Sequence, residues 1–367
     1  MKIAFIGQKG VPTRNGGIEK YTENLALNLI KRGHEVFVYS RPYYSAGLKE
    51  YKGIKIISVP TIKIKSLEAI INTFFACLDV VFRKVDVINF QAIGPASLIW
   101  LVKLFKPKTP IIFTFHCQDY YHQKWGKFAQ WYLKLGEKIG CRLADKTIVT
   151  SHVLTDYVKK NYGFEPIYIP YGSYTPEKIP VKDIRRWGLE KENYIVYIGR
   201  LVRHKGVHYL IEAYKQIKTD KKLVIVGESA YTNDYVQELH QLAAADERIV
   251  FTGNQSGLIL NELFSNAYLF VQPSEYEGLS VALLEAMGWQ LACLVSDIPQ
   301  MKEGIANTGI TFQNKNVADL KIKLESLINN PEEVQHLGQL AAQRVNQEYN
   351  WQTITTNIEN IYQAVRK

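Results

Sequence analysis

Cysteine is scarce in this chain, and the four present do not pair up. Cys77, Cys117, Cys141 and Cys293 are scattered over 367 residues with no C-x-x-C spacing. That argues against a disulfide framework or a structural zinc site and points to a reducing compartment. Also missing is any apolar run of about 18 residues, the length a bilayer-crossing helix needs. The nearest candidate, residues 66–82, is broken by Glu68, Asn72 and Asp79. The opening M-K-I-A-F-I-G reads as the start of a strand, because its apolar run is too short for a signal peptide. No G-x-G-x-x-G follows a strand, so the dinucleotide fingerprint is unmatched. His122 and Asp119 lie close to His116 in sequence, yet they form no H-x-x-x-H or H-E-x-x-H metal pattern with it. Helix-turn-helix, RNP-like and zinc-finger patterns are absent as well, which weighs against a nucleic-acid partner.

What the chain does contain is a globular composition, 47% hydrophobic and 22% charged, and enough length for about two domains. Its net charge of +10 is unevenly placed. Residues 1–183 hold 27 Lys and Arg against 14 Asp and Glu, while residues 184–367 hold 18 against 21. A first half at +13 beside a second half at −3 suggests that the first meets something anionic. An anionic membrane surface fits at least as well as nucleic acid, and a solvated basic surface is the plain alternative.

Residues 2–7 read as a buried strand, about 19–32 as a helix, and 34–40 as the next strand, with Gly33 between them. That is one βαβ unit, and a doubly wound parallel sheet is its natural extension. Gly16 and Gly17 stand just before the helix, where missing side chains let backbone N–H groups approach a phosphate; a flexible turn is the bland alternative. Further strands are expected at 55–59, 85–89, 110–115, 146–150 and 167–169. Helical stretches are expected near 66–83, 94–105, 126–143 and 152–161. In the third of these, Trp125, Phe128, Trp131, Tyr132 and Leu135 fall at near-helical spacing among Lys124, Lys127, Lys134 and Lys138. A helix lying on lipid and ordinary core packing with a charged outer face both satisfy that pattern.

His116 follows the strand P-I-I-F-T-F directly, at a sheet's C-terminal edge, where open α/β sheets bind ligands. A neutral imidazole there can hydrogen-bond a sugar hydroxyl or a developing charge, and a satisfied structural histidine is the alternative. The segment 171–182, with two prolines and a glycine, reads as a linker. After it the pattern restarts: a strand at 194–198 ends at Gly199-Arg200, and R-L-V-R-H-K-G places Arg200 and Lys205 either side of a strand-to-helix loop. Two cations so placed can clamp a diphosphate. Strands near 223–226 and 249–252 lead on to P-S-E-Y-E-G-L-S-V-A-L-L-E, residues 273–285. Pro273 stops a short buried strand, Gly278 loosens the turn, and Ser280 is a plausible N-cap for a helix over 281–287. The helix start favours phosphate. Glu277 and Glu285 would repel one unless they accept hydrogen bonds from hydroxyls either side of it, the layout of a nucleotide-sugar. The tail, 350–366, carries Trp351, Ile354, Ile358 and Ile361 on one helical stripe.

The set G-G-I-E, F-H, G-R-L-x-x-x-K-G and E-G-L-S-V-A-L-L-E-A-M resembles the retaining glycosyltransferases of family 4, over essentially the whole chain. The resemblance implies an α/β fold of two Rossmann-like parallel-sheet domains facing each other across a cleft (GT-B), with the C-terminal helix crossing back. Residues 1–178 with 351–367 would form the acceptor-side domain and 179–350 the nucleotide-sugar domain. It further implies that Gly16 and Gly17 approach the diphosphate through backbone amides, with Arg200 and Lys205 binding it from the other domain. Glu285 would take the ribose hydroxyls. Glu277 would hold hydroxyls of the transferred sugar, with the amides of Gly278, Leu279 and Ser280 nearby. His116 would reach the sugar from the opposite wall, and Gly253 would line the base site. His116, Glu277, Arg200 and Lys205 form the expected catalytic set. Two departures stand out. Ser280 replaces the second glycine of the common E-G-F-G, and Ala292 stands where a proline is usual.

The expected reaction moves a sugar from a nucleoside diphosphate to an acceptor hydroxyl with its configuration kept, needing no metal or other cofactor, since the cations take that place and no D-x-D triplet occurs. The sequence is similar to bacterial members that build cell-surface polysaccharide on a lipid carrier. A cytoplasmic protein, peripheral on the inner face of the cell membrane, is the corresponding location. A nucleotide-sugar epimerase on the same fold is the main rival; a nicotinamide dehydrogenase and a basic membrane- or nucleic-acid-binding module are the others.

Overall fold

The computed structural model describes the chain except residues 15, 63, 65, 66, 122–125, 230, 231 and 367. His122, Lys124 and Trp125 therefore lie outside the described residues. Two compact units emerge, Met1–Tyr171 with Trp351–Lys367, and Gly172–Asn350.

The first unit begins with β1 (Lys2–Ile6), α1 (Gly17–Lys31), β2 (Glu35–Ser40) and α2 (Pro42–Ser45). There follow β3 (Glu50–Tyr51), β4 (Ile54–Ser58), α3 (Glu68–Phe82) and β5 (Val87–Gln91). Next come α4 (Ile93–Ala96), α5 (Ile99–Phe105), β6 (Ile111–Phe115) and α6 (Lys127–Leu143). β7 (Lys146–Val149), α7 (His152–Tyr162) and β8 (Ile167–Tyr168) complete this stretch. The sheet order is β3-β4-β2-β1-β5-β6-β7-β8, parallel but for the two-residue edge strand β3. Central strands such as β1 and β6 are buried on both faces, so they read as continuous apolar runs. The helix expected over 94–105 is two pieces. The Ser97 hydroxyl donates to the Gly94 carbonyl at 2.7 Å, and this local bond competes with the helical ladder at the break.

The second unit runs β9 (Tyr194–Ile198), α8 (Val207–Tyr214), β10 (Lys222–Val226) and α9 (Asn233–Ala243). β11 (Ile249–Gly253), α10 (Gly257–Ser265), β12 (Leu269–Gln272) and α11 (Val281–Gly288) follow. Then come β13 (Ala292–Ser296), α12 (Pro299–Ile305), β14 (Ile310–Phe312), α13 (Val317–Ile328) and α14 (Pro331–Glu348). All six strands are parallel, in the order β11-β10-β9-β12-β13-β14. The chain therefore winds outward from β9 in one direction, then returns to start again at β12. That reversal, between two neighbouring strands, is the topological switch point at which open α/β sheets leave a crevice.

The segment expected to be a linker is tied down at its start. Ser173 N donates to the Tyr349 carbonyl at 2.7 Å, and Thr175 donates to Asn346 Oδ1 at 2.9 Å. A Cβ on Gly288 would lie 2.0 Å from the Tyr174 carbonyl oxygen, so only glycine admits this close approach. The last helix, α15 (Trp351–Val365), belongs to the first unit. Trp351, Ile354 and Ile358 are buried as its stripe predicts. The fourth buried position is Tyr362 rather than Ile361, and Asn89 donates to its hydroxyl at 2.7 Å. Arg32 and His34, after α1, both meet Glu359, at 2.9 and 2.8 Å.

Candidate active site

The loops leaving β9 and β12 lie side by side at the C-terminal edge of the second sheet. Glu275 N donates to the His204 carbonyl at 2.8 Å, joining them directly. Tyr209 donates to Glu275 Oε1 at 3.0 Å, and Lys315 pairs with Oε2 at 2.9 Å. Gly206, with φ +69°, closes the first loop against the second. A Cβ there would fall 1.9 Å from the Pro273 carbonyl oxygen. The tight loop that presents Lys205 thus depends on a residue without a side chain.

This edge brings together most of the predicted set. Lys205 is ion-paired with Glu277, both side chains being largely shielded. Glu277 Oε1 also accepts from Gln272 Nε2 at 2.8 Å and from the Ser274 hydroxyl at 3.5 Å. Ser280 donates to Gln272 Oε1 at 2.9 Å and accepts from Leu283 N at 3.3 Å, so it caps α11 while holding Gln272 in place. Gly278 is half-buried and Leu279 buried, within the turn that leads to the cap. Glu285 lies one turn into α11, on the half-exposed face it shares with Val281 and Ala282, while Leu283, Leu284 and Ala286 turn inward. Among the described residues the Arg200 guanidinium makes no hydrogen bond or ion pair, which leaves it the cation open to an anionic ligand. Gly253 ends β11, two strands from β9, and its carbonyl accepts from Gly227 N at 2.9 Å. It sits on the same edge without touching the charged cluster.

The first unit treats its predicted residues differently. His116 is 1% exposed, and both ring nitrogens are engaged: Nε2 with Gln91 Oε1 at 2.7 Å, Nδ1 with the Tyr171 hydroxyl at 2.8 Å. Burial pushes its pKa down to about 3, so the ring is neutral. It joins the end of β5 to Tyr171, and a substrate contact would have to replace one of these bonds. Gly16 is the N-cap of α1 at φ +100°. The anion at that helix start is the chain's own Glu19. Its Oε1 accepts from Lys9 N at 3.1 Å, and its Oε2 lies 2.0 Å from where a Cβ on Gly16 would be. The electrostatic preference of the helix start is thus already answered locally, beside Gly16 and Gly17.

Sequence reasoning missed Gln272, Ser274 and Glu275, which hold Glu277 and the two loops. The signal was there in Gln272, a polar residue closing an otherwise apolar strand just before the acidic motif. Gln91 and Tyr171, which fix His116, left no such mark, because they come from strands and segments far apart in sequence.

Residues 15–172 match the family model described as Glycosyltransferase Family 4, and residues 182–344 the one described as Glycosyl transferases group 1. With two parallel-sheet domains, the chain is a glycosyltransferase of the GT-B class. It belongs to the family 4 glycosyltransferases. An uncharacterized glycosyltransferase of Methanocaldococcus jannaschii is 24% identical over 387 residues, covering 99% of this chain and 98% of that protein. The fold is similar to sucrose-phosphate synthase from Thermosynechococcus elongatus, with a TM-score of 0.85 at 21% identity, over 99% of this chain and 98% of that one. It is also similar to Anabaena HepE in complex with UDP-glucose, with a TM-score of 0.82 at 17% identity, over 99% of this chain and 100% of that one.

Proposed function

We propose that this glycosyltransferase moves a sugar from a nucleoside-diphosphate-sugar to an acceptor hydroxyl with retention of configuration. The acceptor is a lipid-linked saccharide used for cell-surface polysaccharide, met at the inner face of the cell membrane. One observation carries the donor half of this reading. Lys205 and Glu277 pair across adjacent loops at the switch point of the second sheet, beside a capped helix start, and Arg200 opens the loop that carries Lys205.

Arg200, with the N–H groups that open α11, holds the diphosphate and takes up charge as it departs; each such donor is typically worth about 3 kcal/mol. Lys205 joins them once its pairing with Glu277 loosens. Glu277 then accepts from hydroxyls of the transferred sugar, and Glu285 from those of the ribose. The anomeric carbon–phosphate oxygen bond breaks as the acceptor oxygen bonds the same face, and the acceptor's proton passes to the departing phosphate. Glu277 is not the nucleophile in this scheme, because the acceptor oxygen itself bonds the anomeric carbon and no glycosyl-enzyme forms. The cations serve where other transferases use a metal ion. The matching edge of the first sheet, near Gly16, Gly17 and His116, takes the acceptor.

A thermal-shift screen of the purified chain across UDP-, GDP- and dTDP-sugars tests the donor site. One donor class is expected to raise the melting point in a dose-dependent way, by mass action. NMR of the product then reads the anomeric configuration. An inverted product refutes retention. Conversion of donor alone into an epimer favours the epimerase.

A further inference from the structure

Three neighbouring helices of the first unit carry ten of the eighteen exposed large hydrophobic side chains of the described chain: four on α3, three on α5 and three on α6. Such side chains are ordinary when scattered singly, and a contiguous apolar patch marks an interaction surface. On α3, Phe75, Leu78 and Phe82 form an outward stripe with Phe74 beside it, while Ala76, Cys77 and Val80 face the core. The helix is therefore apolar on both sides, although only one is covered. Phe82 is 88% exposed. On α5, Trp100, Leu104 and Phe105 face outward. On α6, Phe128 and Trp131 are 75% and 58% exposed, so the core-packing reading fails for these two.

The three helices form one layer, since α5 packs against both α3 and α6. Charge identifies what covers it. The outer face of α6 carries Lys127, Lys134, Lys138 and Arg142, all exposed, in line with Trp131 at helical spacing. The only acid on α5 or α6 is Glu137, which is buried and accepts from the hydroxyls of Tyr157 and Tyr162, both at 2.7 Å. The exposed side is thus aromatic and cationic with no exposed carboxylate from either helix. The carboxylates bordering the layer, Asp79 and Asp145, are tied to Arg83 and Lys103, and a protein partner or a second copy could cover the apolar part without accounting for the row of exposed cations along α6. No helix among the described residues is long and apolar enough to cross a membrane.

We infer that the outer face of α3, α5 and α6 is a docking surface for an anionic phospholipid bilayer, with Phe82, Phe105 and Trp131 entering the interface and the α6 cations meeting headgroups. This deepens the membrane part of the reading above and rests on it only for the source of the acceptor. The mode is interfacial, with apolar burial and charge attraction acting together.

Co-sedimentation of the full chain with vesicles of phosphatidylcholine alone, or with added phosphatidylglycerol, tests it. The chain is expected to pellet with the anionic vesicles. The variant Lys127→Gln/Lys134→Gln/Lys138→Gln should lower the partition coefficient about 100-fold, at about fivefold per cation near the surface. Phe82→Ser/Phe105→Ser/Trp131→Ser should lower it at least as much, and because these side chains are exposed the fold is expected to survive. Thermal stabilisation by UDP-glucose, measured on the same variants, should be unchanged. Failure of the wild type to pellet, or pelleting indifferent to both triple variants, overturns the inference. So does a dimer in light scattering that Phe82→Ser dissolves, which would assign the face to a second copy. If vesicles bind but no nucleotide-sugar stabilises the wild type, the transfer reading fails and the membrane surface stands.

Discussion

Removing the Ser280 hydroxyl should strike the fold and the donor site together. Ser280 and Gln272 are both buried, and the hydroxyl makes two bonds, accepting from Leu283 N at 3.3 Å and donating to Gln272 Oε1 at 2.9 Å. In Ser280→Ala the lost helix cap costs about 1 kcal/mol. The stranded amide oxygen of Gln272 costs about 1–3 kcal/mol more, because water cannot replace its partner. Together that is about 3 kcal/mol, or about 6–12 °C in the melting of a unit of this size. Gln272 also loses its reason to point its Nε2 at Glu277, so the gain in melting point given by a nucleotide-sugar should shrink. Differential scanning fluorimetry with and without UDP-glucose reads both effects, and Ser280→Thr, which keeps the hydroxyl, should preserve most of each. If Ser280→Ala melts within about a degree of wild type, the bridge from the α11 cap to Glu277 is not what holds this loop.

Arg200→Ala should lower kcat/KM about 100-fold, the usual size for a charge-stabilising donor. It should leave the melting point unchanged, since the guanidinium has no partner among the described residues; a large drop in stability would sink that account. Gly206→Ala should destabilise by about 2 kcal/mol or more, the left-handed φ alone accounting for about 1–2 kcal/mol and the Pro273 carbonyl blocking the Cβ; chemical denaturation measures it. The His116 pKa is depressed in the folded state, so the unfolded chain takes up a proton that the fold refuses below about pH 6.5. Stability is whole above that pH and should decline as pH falls towards 3, by about 2–3 kcal/mol at pH 4.5. His116→Asn should flatten this slope in urea titrations, and an unchanged slope would count against it. Glu277→Gln should tighten binding of free nucleoside diphosphate by freeing Lys205, while transfer falls; calorimetry showing weaker binding would argue against the pairing.

Both sheets could be read from the sequence because buried parallel strands are apolar throughout, and their helices carry clear stripes. Tyr194–Ile198 matches its expected strand residue for residue, and Val281–Gly288 exceeds its expected helix by one. Pairing order is another matter. The order β11-β10-β9-β12-β13-β14 turns on the pairing of β9 with β12, which sets Ile195 beside Leu269 from far along the chain, and no local pattern encodes it. The site splits along the same line. Ser280 as a cap is local chemistry and was legible; the bond from Ser280 to Gln272 spans eight residues and a strand end, and was not. Likewise His116 was placed correctly at the end of β6, but its two partners arrive from β5 and from Tyr171, so its burial could not be foreseen. Phe128 and Trp131 misled for a different reason. An aromatic at helical spacing is compatible with either side of a helix, and only the fold showed which side α4 and β6 had already filled, with Gly136 and Gly140 pressed against Ile93 and Phe113.

The pairing of Lys205 with Glu277 explains how one cluster can serve a ligand with both acidic and alcoholic parts. A bare pair of cations would hold a nucleoside diphosphate strongly and release it slowly. A bare pair of carboxylates would repel the same ligand. Joined, the two groups neutralise each other at little cost, and Gln272 and Ser274 keep Glu277 oriented while they do so. A diphosphate alone can claim Lys205 only by leaving Glu277 without its cation, a shielded charge that is expensive to strand. A ligand that also brings sugar hydroxyls supplies Glu277 with new donors as it takes Lys205 away. On the proposed donor reading the exchange would favour the complete nucleotide-sugar over its fragments, so selectivity for the whole donor would follow from the ion pair itself.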